Sequence, residues 1–122
     1  MKTILLSAAT GLIFCLTSAT ATLAADHLTG EQIKTQVIGV KLGGETRKGK
    51  PFTLVFDNGG TGVIDISGEG MRDARWHVDR NTICWKTDTT NDECSYVVAG
   101  KGTFRFVDSA TGKTNTIYKI VK

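Results

Sequence analysis

Thr53-Leu-Val-Phe-Asp-Asn-Gly-Gly-Thr-Gly-Val-Ile-Asp-Ile66 decides the fold class. Phe52, Leu54 and Phe56 fall on alternate positions, the two-residue period of a half-buried strand. Asn58, Gly59 and Gly60 follow, and two adjacent glycines supply the positive φ that a tight hairpin turn demands. Thr61 to Ile66 returns as the partner strand. An isolated hairpin is at best marginally stable in water, so further strands must complete the apolar face.

The rest of the chain supplies them. Ser67 to Asp73, SGEGMRD, is expected as a flexible loop. Ala74, Trp76 and Val78 then alternate with Arg75, His77 and Asp79, again a strand with one buried face. Asp79-Arg80-Asn81 turns the chain into Thr82–Lys86, and Thr87 to Asp92 is a polar loop. Cys94–Val98, Thr103–Val107 and Asn115–Val121 complete the series, separated by Gly-containing turns at 99–102 and 109–113. Pro51 sits at a strand start, where a missing N–H is tolerated. The expected fold is mainly β: a small antiparallel meander of seven or eight strands forming a barrel or sandwich. A short N-terminal helix over about Gly30 to Ile38 precedes it. Thr29 and Gln32 have capping-box spacing, Ile33 and Val37 share a helical face, and Gly39 can close the C-terminus. A first strand beginning near Thr35 fits the same residues.

The N-terminus reads as a signal peptide over residues 1–25. Lys2 is the basic start, Ile4 to Leu16 the apolar run, and Thr22 to Ala25 a small-residue cleavage region, with Asp26 or Ala25 first in the mature chain. Ser7, Thr10, Gly11 and Thr17 dilute the run below the roughly 20 apolar residues of a membrane span. Phe14 before Cys15 departs from the small residues of a lipoprotein signal. The expected product is a periplasmic or secreted protein without a stable membrane anchor, a single β domain over residues 26–122. Without Lys2 its 15 basic residues become 14 against 12 acidic, or +2, too mild a balance to imply nucleic acid as partner.

A mature chain of 97 residues, 122 less 25, buries only about 60–65% of its unfolded surface, so a covalent staple helps. Cys84 and Cys94 remain after cleavage, and an even count in an oxidising compartment reads as a disulfide. If the two lie opposite each other, Ile83 faces Ser95 and Trp85 faces Glu93. The facing then conflicts, because Ile83, Trp85 and Val97 want the core and so does a disulfide. Either a bulge or a strand covered on both faces resolves it.

Leu28 to Ile33 (LTGEQI), Gly49 to Thr53 (GKPFT), Trp76 to Lys86 (WHVDRNTICWK) and Cys94 together resemble a group of small secreted proteobacterial proteins of unknown function. The resemblance covers most of the mature chain and implies a small β-barrel-like domain of the cell envelope, with no activity attached. Ser67 to Arg75 also resembles the Ser-, Gly-, Ala- and Arg-containing loop of periplasmic inhibitors of lysozyme, from which Glu69 and Asp73 depart.

No pattern in the chain supplies catalytic chemistry. Its histidines are His27, beside the cleavage region where chains fray, and His77, on the polar face of its strand. Neither accompanies a nucleophile, and no G-x-S-x-G is present. Metal ligands need clusters of three or four, which two distant histidines and a cysteine pair do not make. Asp57, Asn58 and Asp65 flank a hairpin, which accounts for them without calcium. Gly59 to Gly62 lacks the lysine and following helix of a phosphate loop. Glu69, Asp73 and Glu93 could be drawn as paired carboxylates for a hydrolase, but as residues of polar loops they read far better as solvated acids. The expectation is therefore a non-catalytic binding or interaction module of the cell envelope, without cofactor or metal, for a protein or small-molecule partner. The alternatives are a periplasmic enzyme inhibitor and a hydrolase with loop carboxylates. Candidate partner-binding residues are Met71 and Arg72 in the first loop and Trp85, the aromatic of least certain facing.

Overall fold

The 53–66 hairpin forms as its residues dictate. In the computed structural model, which describes residues 27–122, Pro51–Phe56 (β2) pairs with Thr61–Ile66 (β3). Gly59 and Gly60 sit at φ 98° and 91°, and Asp57 N–H donates to the Thr61 carbonyl at 2.7 Å. The signal-peptide reading and Cys15 lie outside the described residues.

Six further strands extend the hairpin in both directions. They are Leu42–Glu45 (β1), Gly70–Asp79 (β4), Thr82–Thr87 (β5), Glu93–Ala99 (β6), Thr103–Asp108 (β7) and Thr114–Ile120 (β8). Each is antiparallel to the next, and β8 returns to β1, so the sheet closes as an eight-stranded barrel. Of the two architectures the sequence allowed, barrel and sandwich, the chain adopts the barrel. The strand beyond the seven clear in the sequence is β1, Leu-Gly-Gly-Glu. Alternate residues point inward and fill the interior: Leu42, Leu54, Phe56, Ile83 and Val97 are fully buried, with Phe106 at 1% exposure. Filling by side chains is what a barrel of this size permits.

Gly30–Gln36 forms the helix (α1), two residues shorter than expected. Thr29 accepts from Gln32 N–H, and the Gln32 side chain accepts from Thr29 N–H, the reciprocal capping box. Gly39 takes φ 86° beyond the helix, and its N–H donates to the Phe56 carbonyl at 2.7 Å. The alternative first strand near Thr35 does not form. The helix plugs one end of the barrel, with Ile33 and Val37 fully buried in the common core. Gly30 N–H donates to Asn81 Oδ1 at 3.0 Å. A Cβ at Gly30 would collide with the Arg80 carbonyl, so glycine is required for the helix to dock this closely.

Two expectations are corrected. Ser67 to Asp73 is not a loop: the turn is confined to Ser67, Gly68 and Glu69, and β4 begins at Gly70. Positive φ at Gly68 (82°) and Gly70 (90°) lets the chain reverse within that turn, so Met71, Arg72 and Asp73 pair with Asp65, Ile64 and Val63. Where a frayed end was expected, the His27 ring lies against Tyr96, with centroids 4.4 Å apart.

Cys84 and Cys94 form a disulfide between paired positions of β5 and β6, with Ile83 opposite Ser95 and Trp85 opposite Glu93. The pairing runs unbroken through β5, so no bulge reconciles the facings. Instead Ile83 and Trp85 face the interior, while the disulfide lies on the outer wall. Cys84 is nonetheless only 1% exposed, with His77 as its cross-strand neighbour and Thr82 Oγ1 at 3.9 Å. The strand is covered on both faces there. Cys84→Ser or Cys94→Ser should lower the urea-unfolding free energy by about 2–3 kcal/mol. An effect below about 0.5 kcal/mol would show that the staple is redundant with the barrel's own closure.

Candidate functional site

The two barrel ends differ. The helix and the turns at 57–60, 80–81 and 100–102 cover one end, and the turns at 46–50, 67–69, 88–92 and 109–113 ring the other. At this second end a cavity of about 200 Å³ opens into the barrel. Its lining is Ile64, Ile66, Arg72, Trp85, Thr87, Thr89, Thr90, Asn91 and Glu93. Barrel mouths are among the places where small-molecule sites recur.

The floor is apolar by strand periodicity. Ile64 and Ile66 are inward positions of β3, and Trp85 is an inward position of β5 whose ring meets Phe56 edge-on at 5.6 Å. Trp85 is half-buried, packed on the core yet reaching the cavity. Arg72 lies one strand over, paired with Ile64, and its guanidinium reaches Thr89 Oγ1 and Glu69 Oε1, each at 3.4 Å. Glu69 also accepts from Lys50 Nζ at 3.1 Å. Lys50, by hydrogen bond and by charge, is the chief reason its carboxyl lies below the ordinary value, with Arg72 a lesser contributor.

The Thr-rich loop from 87 to 90 is held by its own hydroxyls. Thr87 N–H donates to Thr90 Oγ1 at 2.8 Å, and Thr89 N–H to Thr87 Oγ1 at 3.3 Å. Across the interior, Tyr118 is buried between Phe52 and Phe106, with centroids 6.1 and 4.6 Å away. Burial pushes its hydroxyl up to about 12, with a smaller push from Glu93. A break in register between β7 and β8 leaves Asn115 unpaired with β7, and its Nδ2 lies 3.4 Å from the buried Ser95 hydroxyl.

Of the three residues singled out from the sequence, Arg72 and Trp85 meet at the mouth. Met71 does not join them. As neighbours on a strand, Met71 and Arg72 point to opposite faces, and Met71 stands 71% exposed on the outer wall. The apolar floor from Ile64 and Ile66 was hidden in the sequence among ordinary core positions. Of the candidate carboxylates, Glu69 is ion-paired at the rim, Asp73 is exposed on the outer wall and Glu93 lines the cavity.

Among the described residues, no three His, Cys, Asp or Glu side chains are grouped to hold a metal ion, and no helix is long and apolar enough to cross a membrane. No family model matches the chain, and no curated protein or solved structure matches it.

Proposed function

We propose that the chain is an exported, non-catalytic binding module of the cell envelope that takes its partner at the open mouth of the barrel. One observation carries this reading: at the unplugged end an apolar floor, a half-exposed arginine and a self-bonded Thr-rich loop converge on one cavity. Side chains fixed on strands hold such a site in shape before anything binds, which lowers the entropy cost of binding.

The carboxylates favour binding over hydrolysis. Glu69 is committed to ion pairs with Lys50 and Arg72, and Asp73 stands on the outer wall, away from Glu93 in the cavity. The stretch resembling the lysozyme-inhibitor loop is mostly strand, with only residues 67–69 in a turn.

Capture of a partner from periplasmic and envelope extracts tests the reading. Arg72→Ala should weaken capture while leaving the melting temperature nearly unchanged, because exposed ion pairs contribute only about 0–1 kcal/mol. Met71→Ala should leave capture intact. Loss of capture with Met71→Ala but not with Arg72→Ala would move the binding surface to the outer wall. Turnover that depends on Glu69 or Asp73 would replace the binding reading with an enzymatic one.

A further inference from the structure

We infer that the mouth selects a small amphiphile: an apolar body seated on Ile64, Ile66 and Trp85, bearing one anionic group held by Arg72. This rests on the mouth being the binding site and goes further by assigning the ligand's chemistry.

The apolar part follows from the floor. Two isoleucines and an indole give a surface that a ring system or a short branched chain covers, and water gains few hydrogen bonds there. About 200 Å³ is less than the roughly 300–1,000 Å³ of sites that enclose drug-sized ligands. The body is therefore small, with its charged end at the rim.

The sign of the charge follows from how the ions at the rim are shared. Glu69 stands between two cations, Lys50 at 3.1 Å and Arg72 at 3.4 Å. The shorter bond and the main effect on its carboxyl both belong to Lys50. One carboxylate thus balances two cations and leaves Arg72 the less compensated. Arg72 has five N–H donors, and its two side-chain contacts are both long, 3.4 Å to Glu69 and 3.4 Å to Thr89. A carboxylate, sulfonate or phosphate group at this point forms shorter, charge-assisted bonds with the same fork.

Glu93 sets a limit. It lines the same cavity from β6 and forms no ion pair with Arg72. It repels a second negative group, so the site favours a monoanion whose charged end lies on the β4 side.

Two naphthalene probes with the same apolar body separate the two parts of the inference. One is naphthalene-2-sulfonate, a monoanion, and the other is uncharged 2-methylnaphthalene, both with a body small enough for the cavity. Each is titrated into the disulfide-bonded mature protein, with probe and Trp fluorescence followed. Near-UV circular dichroism identifies any variant that binds probe only because its packing is lost.

The anionic probe should saturate at one per chain and bind more tightly than the neutral one. Arg72→Met should weaken the anion about tenfold, the scale of a lost charge-assisted hydrogen bond, and leave the neutral probe unchanged. Glu93→Gln should tighten the anion severalfold, and Trp85→Leu should weaken both probes. Equal affinities for the two probes, indifferent to Arg72→Met, would overturn the anion preference while leaving the mouth as a site. No saturable binding of either probe to the folded protein would overturn the mouth itself.

Discussion

Trp76→Ala should lower the unfolding free energy by about 3–5 kcal/mol, the range for truncating a large aromatic packed on a core. Trp76 is an inward residue of β4 whose ring meets Phe56 edge-on at 6.4 Å. Its indole N–H donates to the carbonyls of Asp57 and Thr61, each at 2.8 Å, and its backbone N–H donates to the Gly60 carbonyl at 2.9 Å. The side chain therefore closes the 57–60 turn from across the sheet, tying β4 to the hairpin on which the fold rests. Truncation removes packing volume and takes the shared donor from two carbonyls. Trp76→Phe separates these effects: most of the ring stays and the donor goes, so its cost should be nearer 1–2 kcal/mol. Urea unfolding followed by far-UV circular dichroism measures both variants. A Trp76→Ala cost under about 1 kcal/mol would mean that the hairpin closes without this side chain.

The legible parts of the fold are those fixed by local chemistry. The Asn58-Gly59-Gly60 turn, the alternation through Ala74, Trp76 and Val78, and the Thr29/Gln32 capping box each depend on residues a few positions apart. The cross-strand register of Cys84 and Cys94 was legible too, because an antiparallel pair fixes its neighbours once one pair is known.

Three features were not legible, for different reasons. Strand β1 hides behind Gly43 and Gly44, which carry no side chain to display a period. Glycine suits that place for a spatial reason: a Cβ at Gly44 would come within 2.8 Å of the Phe52 ring. The stretch from Ser67 to Asp73 read as a loop because its glycines and charges suit any exposed chain. The register with β3 is what turns Met71 and Arg72 in opposite directions. The mouth itself is a property of closure. Ile64 and Ile66 look like ordinary core residues until one end of the barrel is plugged and the other is not.

That plug carries the second large effect. Ile33→Ala should cost about 2–5 kcal/mol, the range for truncating a buried isoleucine. A seven-residue helix is too short to persist alone in water, so α1 exists through its docking. Ile33 is fully buried in the same cluster as Leu42, Leu54 and Phe56, which belong to β1 and β2. Its loss should therefore lower the midpoint of global unfolding rather than merely fray the helix. Thr29→Ala provides the contrast, since it removes a cap at the exposed start of the helix and should cost only about 1 kcal/mol. Hydrogen exchange discriminates between a plug integral to the core and a lid that opens independently. With an integral plug, the amides of Ile33 and Val37, both bonded within the helix, exchange only as fast as those of β2. Faster exchange at these two amides in Ile33→Ala, with the urea midpoint unchanged, would make the helix a separate local unit. The mouth lies at the opposite end of the barrel, so the folded fraction of Ile33→Ala should still bind the anionic probe with unaltered affinity.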